Sequence, residues 1–148
     1  MVDYKSKPIA SSFYRAIKNS YIETDGTIKD CAFHFRENEI TGLKEVSINW
    51  NDDEGALEKL LKSKDKNGCL LCSKGYVLFN MAFINLKFFD YIKEDKLAFN
   101  RDPIYAKVYC INRYHGNLIA TEKCSPNDRQ FFRTNLALYA NVFLIENE

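Results

Sequence analysis

No stretch of this sequence is apolar for long enough to cross a bilayer. The greasiest part, Gly75 to Phe89, reads Gly-Tyr-Val-Leu-Phe-Asn-Met-Ala-Phe-Ile-Asn-Leu-Lys-Phe-Phe, whereas a spanning helix needs about 18–20 apolar residues. The start of the chain lacks the apolar segment of a secretory leader: Lys5 and Lys7 are followed by Pro8 and then by polar Ser11 and Ser12. A strong charge of either sign is missing as well. With 21 Lys and Arg against 20 Asp and Glu, the net charge is +1. That balance argues against broad non-specific nucleic-acid binding, which draws on a basic excess, and against an acidic disordered regulator. Also absent are internal repeats, low-complexity runs, a Gly-rich phosphate loop, a Walker pattern, HExxH and Gly-x-Ser-x-Gly. A cytoplasmic protein with no membrane segment and no cofactor is expected.

Five cysteines, Cys31, Cys69, Cys72, Cys110 and Cys124, are too scattered and odd in number for a disulfide framework. Reduced, buried thiols are the expectation. Cys69-Leu-Leu-Cys72 has the spacing of half a zinc site, but a closed site needs four ligands and no second CxxC exists. A redox pair normally opens a helix that lowers its thiol pKa, whereas Ser73-Lys74-Gly75 reads as a turn. The acidic run Asp52, Asp53 and Glu54 is explained by helix capping, so no metal is assigned.

What is present suits one globular domain over residues 1–148, with residues 1–10 as a possible flexible arm. A chain of this length buries about 70% of its unfolded surface. Hydrophobic residues make up 46% and aromatic residues 14%, so the core should be rich in rings. Burying Gly75–Phe89 supplies much of the drive, at about 1.5–3 kcal/mol per large side chain.

The patterning predicts strands near Ser11–Ile22, Ile28–Arg36, Val46–Trp50, Tyr76–Phe83, Leu97–Phe99, Ile104–Ile111 and Leu118–Thr121. A mid-chain helix is expected over Asp52–Lys64, with Asn51 as cap, Glu54 three residues on, and Leu57, Leu60 and Leu61 on one face. A short helix is expected over Asn85–Lys93. A long C-terminal helix should run from about Pro126 to Leu144, started by Ser125, Pro126 and Asp128. The fold class is therefore α+β: a mostly antiparallel sheet with both marked helices packed on it.

Three groups of side chains could carry function. His115 lies in Asn112-Arg113-Tyr114-His115-Gly116-Asn117, a polar link between two expected strands. A histidine there can move a proton near neutral pH, Arg113 can hold a phosphate or carboxylate, and Asn117 can donate to a developing anion. The plain alternative is a polar turn. Tyr14-Arg15 sits in an apolar stretch, where an arginine must reach water or pair with an acid or phosphate. Lys123, Arg129 and Arg133 could form a basic stripe at the last helix that binds phosphate or an acidic partner; a solvated helix face is the favoured account of it. His34 is expected to face outward.

The leading expectation is a small soluble interaction or regulatory domain of undetermined process, with a protein partner or a second copy of itself. The alternative is a small enzyme acting on a nucleotide, NAD or RNA through catalytic candidates His115 with Arg113 or Arg15. The third is a weak nucleic-acid binder using the C-terminal helix. A deep polar cleft around His115 would count against the first, and distance between Arg15 and His115 would count against the second.

Overall fold

The computed structural model describes residues 3–105 and 111–145. Its frame is one antiparallel sheet built from β1 (Ser12–Ile17), β2 (Arg36–Glu37), β3 (Lys44–Trp50), β4 (Gly75–Asn80), β5 (Leu97–Arg101), β6 (His115–Ala120) and β7 (Asn141–Leu144). The strands lie in the order β5-β6-β3-β1-β4-β7, and β2 adds to the start of β3. Four helices complete it: α1 (Glu54–Lys62), α2 (Met81–Lys87), α3 (Phe89–Lys93) and α4 (Pro126–Tyr139). This is the single-domain α+β architecture the patterning predicts. Among the described residues no helix is long and apolar enough to cross a membrane.

Side chains alternate across a strand, and here the alternation separates two unlike faces. On one face Phe13, Ile17, Val46, Ile48, Trp50, Val77, Phe79 and Leu118 merge with Phe33, Ile84, Phe88, Phe132 and Leu136 into the main core. The Gly75–Phe89 stretch feeds this core through Val77, Phe79, Met81, Ile84 and Phe88. Trp50 is fully buried, and its indole N–H donates to the Asn100 carbonyl at 2.9 Å. Gly116 is required beside it, because a Cβ there would lie 2.3 Å from the indole nitrogen. The opposite face carries a smaller apolar cluster, Tyr14, Ala56, Leu60, Cys72 and Tyr114, where α1 lies over β1 and β4. Among the described residues no helix covers the rest of that face.

Several boundaries differ from the expectation. The first helix starts at Glu54 with Asp53 as cap, its carboxylate accepting from Gly55 N–H at 2.9 Å. Asn51 and Asp52 lie ahead of the first helical turn: the Asn51 amide donates to Ser12 Oγ, and the Asp52 carboxylate accepts from Arg101. Residues 28–36 form a 3-10 turn at Asp30–Phe33 and reach a strand only at Arg36, the first of the two residues of β2; Ala32, Phe33 and Phe35 are all buried, which a half-buried alternating strand would not allow. The segment 85–93 lies in two helices that meet at buried Phe88, and the first begins at Met81, where the Asn80 side chain caps Ala82 N–H. The last helix has the expected Ser125–Asp128 capping box but stops at Tyr139. Ala140 turns extended, and Asn141–Leu144 pair with β4. Most of the strand expected at Ile104–Ile111 lies outside the described residues, although Ile104 and Asn112 form an antiparallel bridge.

Residues 3–10 run back along the sheet. The Pro8 carbonyl accepts two hydrogen bonds from Arg101, at 3.0 and 2.8 Å, and the same guanidinium forms a two-point pair with Asp52 at 2.9 and 2.5 Å. Both side chains are almost wholly buried. Removing one partner of such a pair strands a buried charge, at a cost of about 3–5 kcal/mol. Asp52→Ala should therefore lower unfolding stability by about that amount in urea titration; a loss near zero would show that the pair is not closed to water.

Candidate functional site

The described residues of the second face beyond α1 line a cleft of about 960 Å3. Its floor comes from β3 and β6. Register sets Ser47 opposite Asn117 and Asn49 opposite His115, so these four side chains share one face. Tyr14 and Arg15 of β1 and Arg36 of β2 border the floor. One wall is the turn from Ser63 to Leu71, held by Asp65, whose carboxylate accepts from the N–H groups of Asn67 and Cys69. Asp102, Pro103, Ile104 and Asn112 form the other wall.

Arg15 occupies a break in the sheet. β1 and β3 pair at Phe13↔Trp50 and Tyr14↔Asn49, after which the strands part. Arg15 reaches into the gap, donating from Nε to the Ala32 carbonyl at 3.1 Å and from Nη1 to the Ser47 carbonyl at 2.9 Å. Among the described residues it pairs with no carboxylate. Burial pulls its pKa down, Tyr21 offsets part of this, and the nearby Arg36 adds to the lowering. Two guanidinium groups thus border one cavity, and burial and mutual repulsion both weigh against the charge on Arg15.

An amide relay lies under the floor. Tyr114 N–H donates to Asn112 Oδ1 at 3.0 Å, which orients the Asn112 amide; its Nδ2 then donates to Asn49 Oδ1 at 2.8 Å. This orients Asn49 in turn. Among the described residues its own buried Nδ2 has no hydrogen-bond partner, an uncommon cost for a folded chain. Beside it, His115 Nδ1 lies 2.7 Å from the Asp102 carbonyl. A carbonyl only accepts, so this nitrogen carries the proton. The Asp102 carboxylate accepts from Asn117 Nδ2 at 3.2 Å. His115, Asp102 and Asn117 are thereby cross-tied.

The structure brings together part of the set that the sequence suggests. His115, Arg15, Tyr14 and Asn117 all line the cleft. His115 opens β6 rather than sitting in a free turn. Arg113 does not join them. Its guanidinium lies about 5.0 Å from the Tyr4 ring and 4.9 Å from the Tyr114 ring, donates to Tyr114 Oη, and lines a separate hollow beside α1. Tyr114 Oη donates in turn to Asp53 at 2.8 Å, and that hydrogen bond holds the Asp53 carboxyl below its usual pKa. Lys123, Arg129 and Arg133 lie at α4, on the opposite face of the sheet. Lys123 stands 3.9 Å from Asp95, Arg129 donates to the Cys124 carbonyl, and Arg133 donates to Gln130. His34 is exposed, as expected.

Ser47, Asn49, Arg36, Asn112 and Asp102 were not singled out by the sequence. One signal was available for Asn49 and Asn117: asparagine is depleted in strands, yet both stand at strand positions beside apolar neighbours. Cys69 and Cys72 do not act as a pair of equals. Cys69 is exposed, while Cys72 is buried under α1, where burial pushes its thiol up to about 11. Among the described residues no three His, Cys, Asp or Glu side chains group as metal ligands.

The chain matches no protein-family model, no curated protein and no solved structure.

A thiol-reactive probe at mildly alkaline pH should label Cys31 and Cys69 at once. Cys72 and Cys124, both buried and both raised in pKa, should label only on unfolding. Mapping by peptide mass spectrometry decides it, and labelling of Cys72 as fast as Cys69 would contradict the placement.

Proposed function

We propose that this domain is a binding module for a small phosphate-bearing ligand of nucleotide size, held in the cleft over β3 and β6. The observation that carries the reading is the pair Arg15 and Arg36 at the edge of the cavity, with no ion pair to a carboxylate from either among the described residues. An anion between two guanidinium groups offsets their repulsion, and its hydrogen bonds are the charge-assisted kind that Arg forms with phosphate. Lys18, Lys64 and Lys66 border the same cavity. Its acids are engaged elsewhere: Glu45 accepts from Asn38, Asp65 holds its own turn, and Asp102 accepts from Asn117.

Size and lining fit the class. Pockets for small ligands span about 300–1,000 Å3, and the cleft reaches the top of that range. Arg15 and His115 are separated by one intervening strand, so two inter-strand steps of about 4.8 Å set the scale from anion site to floor. Across that span Ser47 and Asn117 present polar groups suited to the edge of a base or sugar. A regulatory domain that senses such a ligand unites the leading expectation with the nucleotide alternative. The polar cleft also counts against a purely protein-docking role for this face.

Isothermal titration with adenosine monophosphate, adenosine and inorganic phosphate tests the reading. The nucleotide should bind saturably and the nucleoside should bind weakly or not at all. Arg36→Gln removes an exposed cation without opening the core, so it should weaken nucleotide binding about tenfold to a hundredfold, the worth of one charge-assisted contact, at unchanged melting temperature. Equal affinity in the variant, or no binding of any phosphate compound by the wild-type chain, would overturn the proposal.

A further inference from the structure

Charge is unevenly spread along the cleft. Arg15, Lys18, Arg36, Lys64 and Lys66 border it, and among the described residues none of the five stands within ion-pair distance of a carboxylate. All five gather at one end. β1 and β3 are antiparallel, with Phe13 opposite Trp50, so the end of β1 runs toward the start of β3. Arg36 stands opposite Glu45 at that start, Arg15 donates to the Ser47 carbonyl two residues on, and Lys18 follows the last residue of β1. The turn that carries Lys64 and Lys66 is fastened there too. The chain leaving it is tied to the end of β1: Asn19 N–H donates to Ser73 Oγ at 3.1 Å, and Lys74 N–H donates to the Ile17 carbonyl at 3.0 Å.

Two acids share this end. Glu45 accepts from Asn38 Nδ2 at 2.7 Å, and Asp65 accepts from N–H groups of its own turn. Five cations against two carboxylates leave an excess of three positive charges among the described residues. The other end has the amides of Asn49 and Asn112 and one carboxylate, Asp102. A recess lined by one sign of charge concentrates the field within it. A single phosphate monoester carries about 1.5–2 negative charges at neutral pH, which falls short of three. A second phosphoryl group supplies the difference.

We infer that the ligand carries at least two phosphoryl groups, as a nucleoside diphosphate does. The inference rests on the nucleotide reading of the cleft and says which nucleotides it takes. One phosphate sits between Arg15 and Arg36. The next meets Lys64 and Lys66, both exposed on the turn, through charge-assisted hydrogen bonds. The nucleoside then lies over the amide floor, since Asn49 is two strand positions beyond Ser47, a step of about 6.6 Å.

Isothermal titration with adenosine mono-, di- and triphosphate tests this, in the wild-type chain and in a Lys64→Gln/Lys66→Gln double variant. Neither lysine is tied to the fold by its ammonium group among the described residues, so the variant should keep its melting temperature. In the wild type the diphosphate should bind about tenfold to a hundredfold tighter than the monophosphate, the worth of one charge-assisted contact. That advantage should shrink as salt is added. In the double variant it should vanish while monophosphate affinity holds. Equal affinity for mono- and diphosphate in the wild type would overturn the inference and leave the nucleotide reading standing. So would an advantage that survives in the double variant, or a variant that weakens both nucleotides alike. A wild-type chain that binds none of the three overturns both.

Discussion

The guanidinium of Arg15 replaces a piece of the β-ladder. β1 and β3 share only two paired positions before they separate, and each separating strand would otherwise expose carbonyls to a partly closed interior. Leaving one such group unsatisfied costs about 1–3 kcal/mol. Arg15 answers one of them, the Ser47 carbonyl of β3, and with it the Ala32 carbonyl of the 3-10 turn that enters the gap. The gap in turn admits the 3-10 turn that carries Ala32 and Phe33 into the core, and it leaves room for β2 to pair with the start of β3. A sheet that zipped fully from Phe13 to Ile17 would have neither that turn nor the recess above Ser47.

This explains why a cation resides in an apolar stretch and why, among the described residues, no acid pairs with it. Carbonyl acceptors satisfy hydrogen bonds but not net charge. The remaining electrostatic cost is visible in the downward pull of burial and of Arg36 on the Arg15 pKa. The same face of the sheet is divided along its width. Over β1 and β4, α1 seals Tyr14, Leu60, Cys72 and Tyr114. Over β3 and β6 no helix lies among the described residues, and the pavement changes to Ser47, Asn49, His115 and Asn117. Polar residues at inward-capable strand positions are costly unless hydrogen-bonded, and most of these are tied: Asn49 to Asn112, Asn117 and His115 to Asp102. Asn49 Nδ2, held in place but unsatisfied, marks where the network stops short.

The α+β class and the two main helices could be read from local chemistry. Ser125, Pro126 and Asp128 act within a few residues of one another, so the start of α4 was legible; its end was not, because Val142 and Phe143 fit a helical period and a strand alike, and pairing with β4 decides between them. Asn51 is not the cap because the chain turns helical only after Asp53; its amide instead donates to Ser12, far away in the chain. His115 and Arg15 were visible as polar groups among apolar ones. Their sharing of a cleft depends on β3 lying between β1 and β6, a pairing that local pattern does not encode. Arg113, two residues from His115, looked like its partner, but the rings of Tyr4 and Tyr114 hold it elsewhere.

The central claim is that the recess opened by Arg15 is where this domain meets its ligand. The most direct measurement is a backbone amide spectrum by two-dimensional NMR, followed as adenosine monophosphate is added. The account requires the largest shifts at Arg36, Ser47, Asn49, His115 and Asn117, with α4 and β7 unmoved. A map centred on α4 or β7, or a spectrum that does not change at all, would contradict it.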